Sequence, residues 1–550
     1  MGSKPVPDAS EIFPVSIATA SGSRVEAVLQ WPIFKGQFCV EEILAPVFAD
    51  SHEDDDDDDE REGWQERKGM GKSEPENGYQ AQHEIATLVQ RFFRNVHTKN
   101  PILDSAVLDS YVYDIEKHGF GWSGKSCLVL LVCALGSVSA PYNPHPSSLS
   151  VTEPPTKYPS FEISAQYFSA AKKRLGIVMS SNKLIAVQCL FLAGIYHMYT
   201  MNQFAAWKMF NAASVSCEGY LHRKEKSKAS DTASSMFSSW SNEPTRHLEQ
   251  RIYWSCLKSE LELCSQLDTS HSGLNELDYP HAFPSPPREI STSVAFQSST
   301  SFFEQPRSAQ ILSPHTSATT APPLPEDRQE DELTWFYYLA EIALRKVELR
   351  MSEIFAISPP AHSSCSSTSA TPAGLEEPRR PIKTEDLLSS ANEFELQLNL
   401  WYSCLPHVLK FPLDSRDPCH DERLQYLRQR YWWIVSMLYR PFLYHLIHHP
   451  TPPQALATRM TVYARKGLEI DANFILSNVI THRHHGAWLT IRAVTGNSLV
   501  LGAAKIAGMM MPAGWRDAIT AARNCLVYWE SEVRDAGALR KVVEAVEREI

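Results

Sequence analysis

Gly119-Phe120-Gly121-Trp122-Ser123-Gly124-Lys125-Ser126 satisfies G-x-x-x-x-G-K-[ST] at every defined position. In a phosphate-binding loop the glycines let backbone N–H groups approach the phosphates, the lysine reaches the outer phosphates, and the hydroxyl ligates magnesium. That chemistry needs a buried strand ahead of the loop. The preceding Tyr113-Asp114-Ile115-Glu116-Lys117-His118 puts charge where such a strand would be apolar, and no apolar run ending in Asp supplies a second magnesium carboxylate. The segment is therefore expected to be a loop in which Gly124 to Ser126 opens a helix over Cys127 to Gly136. Nucleotide binding is the alternative.

His482-Arg483-His484-His485 offers imidazoles at i and i+3, which on a helix share a face. No carboxylate or cysteine set accompanies them at metal-ligand spacing, so a polar helix start or packed surface is expected. His83-Glu84 opens a zincin pattern that Thr87 breaks where the second histidine belongs. The six aspartates Asp54 to Asp59 resemble the magnesium-binding carboxylates of helical terpene synthases, but they lie in a polar stretch. They are expected to be a solvated acidic run, with an activating or histone-facing segment as the functional alternative. No G-x-S-x-G, catalytic Cys/His signature or dinucleotide fingerprint occurs. No catalytic, cofactor-binding or metal-ligating residue is assigned, and the chain is not expected to be an enzyme.

The elements around these residues follow from composition and period. The chain has 550 residues, 43% apolar and 21% charged, with 36 prolines, so folded and irregular parts should alternate. Of the net charge of -12, the stretch Glu53 to Glu62 supplies -8 through nine acids and one arginine. No dense basic block is present to neutralise phosphates, which disfavours unaided DNA binding. Eleven cysteines scattered from Cys39 to Cys525 form no disulfide framework and fit a reducing compartment. The amino terminus lacks a signal-peptide apolar core, and the longest nearly apolar run, Cys127 to Ala140, is shorter than the roughly 20 residues that span a bilayer. A soluble protein with no membrane partner is expected.

Apolar residues recur at helical spacing in Val187, Phe191, Ile195 and Met198, in Phe204, Trp207, Phe210 and Ala213, and in Tyr253, Leu257, Leu261 and Cys264. They do so again in Phe336, Leu339, Ala343, Val347 and Met351, where Glu341 and Arg345 are spaced as an i,i+4 pair on another face. Further helices are expected around Phe394, Leu398 and Trp401, with Ser390 and Glu393 as a capping box, and around Leu427, Tyr431, Ile434 and Leu438, which Pro441 ends or kinks. Polar stretches near 50–80, 222–245, 285–327 and 358–381 are too poor in apolar residues to offset their ordering entropy. The expected fold is all-α, an irregular multi-helix domain in two halves separated by disordered Ser/Pro-rich linkers. Residues 1–80 form an N-terminal segment with the acidic linker, 81–284 the first half, 285–330 a linker and 331–550 the second half.

In order along the chain, Leu29 to Phe34, Cys127 to Gly136, Ala186 to Cys189 with Tyr196 and Trp207, Arg251 to Glu260 and Tyr279 to Pro284 resemble the middle homology region of fungal zinc-cluster (Zn2Cys6) transcription factors. Leu344 to Val347, Trp401 to Pro406, Tyr439 to Tyr444 and His482 to Trp488 continue the series. The resemblance implies an all-helical regulatory domain of a transcription regulator for RNA polymerase II genes, located in the nucleus. Implied partners are the transcription machinery or other regulators, with a small-molecule effector and a homodimer as open options. Arg251, Trp254, Glu260 and Arg440 are implied to be internal polar anchors.

The chain departs from the family at the DNA reader, which needs six cysteines in C-x-x-C-type spacing around two zinc ions. No C-x-x-C occurs here. No cofactor is therefore expected in this chain, zinc belonging only to a cluster upstream of it, and DNA would be reached indirectly or through that missing cluster. An unrecognised helical enzyme and a protein-interaction scaffold are the remaining alternatives.

Overall fold

The computed structural model describes residues 24–49, 78–145, 159–231, 243–284 except 280 and 282, 326–355, 384–449 and 454–550. These contain sixteen α-helices and no strand. The acidic run Glu53 to Glu62, residues 285–325 and the stretch 358–381 lie outside the described residues.

The first nine helices are α1 (Val25–Leu29), α2 (Val40–Phe48), α3 (Gly78–Asn95), α4 (Ser105–His118), α5 (Gly124–Val138), α6 (Pro159–Met179), α7 (Leu184–Tyr199), α8 (Gln203–Asp231) and α9 (Glu243–Leu267). Helix α5 is apolar around its whole circumference and buried throughout from Ser126 to Val138, packed by α3, α4, α6 and α7. Each fully buried aliphatic side chain there contributes about 1.5–3 kcal/mol. Ser164 Oγ donates to the Ala134 carbonyl and Ser137 Oγ to the Ser160 carbonyl, each at 2.7 Å, stitching α6 to α5. On the other side α3 comes so close that a Cβ on Gly136 would lie 2.1 Å from the Leu88 carbonyl oxygen.

The remaining helices are α10 (Glu326–Phe355), α11 (Thr384–Cys404), α12 (Glu422–His448), α13 (Gln454–Leu476), α14 (Ala487–Ile506), α15 (Trp515–Trp529) and α16 (Ala536–Glu549). Helix α13 packs along α12 and α14, and α15 and α16 close over α14. One hydrophobic core runs from Val25 to Val546 and includes both halves. The N-terminal α1 and α2 join them: Trp31 meets the Tyr444 ring edge-on at 5.3 Å, and Phe48 meets Phe204 at 5.2 Å. Across the centre, the Tyr338 hydroxyl donates to the Arg251 carbonyl at 2.7 Å.

Three local expectations are corrected and one is narrowed. Helix α8 continues to Asp231 through the Lys/Ser run expected as linker from 222, because Lys, Glu and Ala in that run are strong helix formers. Helix α11 starts at Thr384, since Leu387, Leu388 and Ala391 extend the buried stripe upstream; Ser390 is mid-helix and caps nothing. Of the end or kink expected at Pro441, the end does not occur: helix α12 runs through it to His448, held by burial on both sides of the proline. Glu341 and Arg345 do not pair with each other, each having a partner on another helix or turn.

Candidate functional site

Three helical stripes converge on a cleft of about 110 Å³. Helix α9 contributes Glu262, Ser265 and Gln266, α10 contributes Tyr337, Glu341, Arg345 and Glu348, and α12 contributes Tyr426, Gln429, Arg430 and Trp433. Spacings of three, four and seven place each set on one face of its helix. The turn His484 to Gly486, leading into α14, closes the far wall.

The cleft's charges are paired across helices. Glu262 on α9 takes Arg345 of α10 at 2.7 Å and Arg430 of α12 on the same oxygen, while Arg345 also reaches Glu348 at 2.9 Å. Burial works against the charge of Glu262, yet Arg345 and Arg430 hold it well below the usual carboxylate range. Lys258 pairs with Glu341 at 2.6 Å and also donates to the Lys99 carbonyl at 3.0 Å. Lys99 pairs with Glu422 at 2.5 Å, and Glu422 is shared with His482 at 2.8 Å. The network thus ties α9, α10, α12 and the segment before α4 into one electrostatic unit. Removing one member would leave a buried charge uncompensated, which is costly.

The histidine cluster lies in this structure as a turn, not on a helical face. Arg483 donates to the Tyr199 carbonyl at 2.7 Å and pairs with Glu532, so the turn crosses between the halves. The Gly486 N–H donates to His484 Nδ1 at 3.0 Å, which requires that nitrogen to be unprotonated. Burial pushes His484 far below its ordinary value and His485 down to about 4. Both imidazoles therefore line the cleft as neutral groups near pH 7.

The Gly119–Ser126 segment is a helix–turn–helix junction. Gly119 ends α4 at φ 75°, and the Ser123 hydroxyl caps α5 by accepting from the Ser126 N–H at 3.3 Å. Lys125 is paired with Asp114 at 3.1 Å, and the Gly121 carbonyl accepts from Arg174 at 2.8 Å. No strand precedes the loop, and the loop turns a carbonyl toward its cation instead of N–H groups toward a phosphate.

The implied anchors are inside. Arg440 is buried and donates to Asn497 Oδ1 at 2.9 Å and to Ser436 Oγ at 3.2 Å. Trp254 and Glu260 are buried and Arg251 half-buried on α9. No sequence motif marks Lys258 and Glu262 on α9 or Arg430 and Trp433 on α12; the signal for the three charged ones is that charges recur within a turn of buried apolar positions on both helices.

A family model described as the fungal specific transcription factor domain matches residues 89–403, more than half of the 550. The chain belongs to that family. The matched span runs from within α3 to the end of α11 and so includes the α9 and α10 walls of the cleft; α12 and the turn at His484 lie beyond it. No curated protein and no solved structure matches. The chain is a fungal transcription regulator with an all-helical regulatory domain. The family's two-zinc reader does not fit its cysteines: among the described residues they meet at most in twos, Cys127 beside Cys189 and Cys217 beside Cys256, and none lies in a C-x-x-C.

Proposed function

We propose that this regulator acts in the nucleus on RNA polymerase II genes of a particular pathway, reaching DNA through a partner or a separate zinc cluster, and that it catalyses no reaction. The charge-laced cleft is the part that answers to an effector or partner. The observation that supports this is the position of the Glu262–Arg345–Arg430 cluster: it holds three helices from both halves, so any ligand that competes for those charges shifts how the halves meet. Polar and aromatic groups line the same space and leave it open to a small polar ligand.

The test fuses the chain to an unrelated DNA-binding domain and reads a reporter gene in a fungal host. The fusion should change output and localise to the nucleus, and Arg430→Ala should alter output severalfold at unchanged protein level. A fusion without effect on the reporter, or exclusion of the untagged chain from the nucleus, would overturn the proposal.

A further inference from the structure

On the side of α9 that faces α8, away from the cleft, Glu260 and Cys264 lie one turn apart, 2% and 1% exposed. Asp268, in the left-handed region at φ 57°, turns the chain back so that His271, exposed, comes over the helix end. A carboxylate oxygen, the thiol sulfur and an imidazole nitrogen then lie within 4.8 Å of one another. The returning turn is held in place: the Ser272 N–H donates to Glu260 Oε1, its hydroxyl donates to Oε2 at 2.8 Å, and Asn211 of α8 donates to Oε1 at 3.4 Å. The Cys264 thiol donates to the Ser270 carbonyl at 3.4 Å.

A second observation concerns the surroundings of the sulfur. The Trp207 indole N–H and the Thr269 hydroxyl are buried with no conventional hydrogen-bond acceptor. Both lie beside the Cys264 sulfur and favour its thiolate, against burial and the Glu260 carboxylate, which together push the thiol up to about 11. The neutral thiol leaves them poorly served; an anionic sulfur would use both.

We propose that Glu260, Cys264 and His271 bind one zinc ion, with water or the Ser272 hydroxyl in the fourth position. Sulfur, nitrogen and carboxylate oxygen from three residues with one open position form an established donor set for zinc. On binding, the Cys264 S–H bond breaks, its proton goes to solvent, and the electron pair forms the S–Zn bond, so oxidation states do not change. The site departs from the expectation of no metal in this chain, because Glu260, Cys264 and His271 meet across a turn that local spacing does not reveal. Zinc there would pin the end of the helix whose other face builds the cleft.

The experiment uses the full chain stripped with chelator and titrated with cobalt(II), in a background where the exposed Cys39 and Cys404 and also Cys365 are serine. One equivalent should bind with a thiolate-to-cobalt charge-transfer band and a tetrahedral visible spectrum, and zinc should displace it. His271→Ala, which alters an exposed side chain, should abolish the band at unchanged circular dichroism, as should Cys264→Ser. No band in the parent, or a band that survives His271→Ala, overturns the site.

Discussion

The Arg492 guanidinium donates to the Asp535 carboxylate at 2.6 Å, with both side chains 1% exposed, and its other amino group reaches Glu26, 466 positions earlier in the chain. Asp535 also accepts from the Trp488 indole at 3.3 Å. One cation thus fastens α1 and the start of α16 to α14.

Arg492→Ala leaves two buried carboxylates facing each other without a cation, and should cost about 3–5 kcal/mol. Urea denaturation measures it. A loss under about 1 kcal/mol would show that α1 is not held through this pair.

Two glycines in helices should respond oppositely to alanine. At Gly136 the added methyl meets the Leu88 backbone, which cannot move aside as a side chain end could, so Gly136→Ala should destabilise by several kcal/mol or prevent folding. At exposed Gly176 in α6 nothing lies within 4 Å, and Gly176→Ala should stabilise by about 0.5–1 kcal/mol. Thermal melts of the two variants give the comparison; a stabilised Gly136→Ala would contradict the close α3–α5 approach.

Lys125→Ala should leave nucleotide affinity unchanged, because its ammonium is engaged with Asp114 on the surface and no strand or phosphate cradle accompanies it. The exposed pair itself contributes about 0–1 kcal/mol. Isothermal titration with ATP and magnesium decides it: micromolar binding to the parent chain that is lost in the variant would restore the nucleotide reading.

Acidification should destabilise the fold. Burial holds His485 near 4 and His484 well below the 6.5 of a free imidazole. Both values are depressed, so the stabilising contribution is fully present above about 6.5 and is lost as pH falls toward 4, where the unfolded chain takes up protons the folded chain refuses. Asp471, raised to about 6 by burial, acts in the opposite sense as pH falls from 6 to 3.8, but it is one group against several. The Tm should therefore drop by several degrees between pH 7.5 and 5, and by less in His485→Gln. A Tm that rises over that interval would refute the neutral buried pair.

The all-helical class is legible without coordinates, because apolar residues such as Val187, Phe191, Ile195 and Met198 recur with a period that only a helix can bury on one side. The sequence also carried the family resemblance, and it marked the Gly119–Ser126 loop as unsuited to phosphate, since the charges of Asp114, Glu116 and Lys117 are visible without coordinates. The cleft becomes visible only in the folded chain. Glu341 and Arg345 look like a local surface pair, and their true partners, Lys258 and Glu262, come from another helix across a long insertion. The histidine run, too, has a helical spacing but becomes a buried turn once Arg483 finds the Tyr199 carbonyl. The difference is one of range: hydrophobic periodicity is set by neighbours three and four residues away, whereas a buried charge is placed by whichever distant group can neutralise it, and nothing in local spacing names that group.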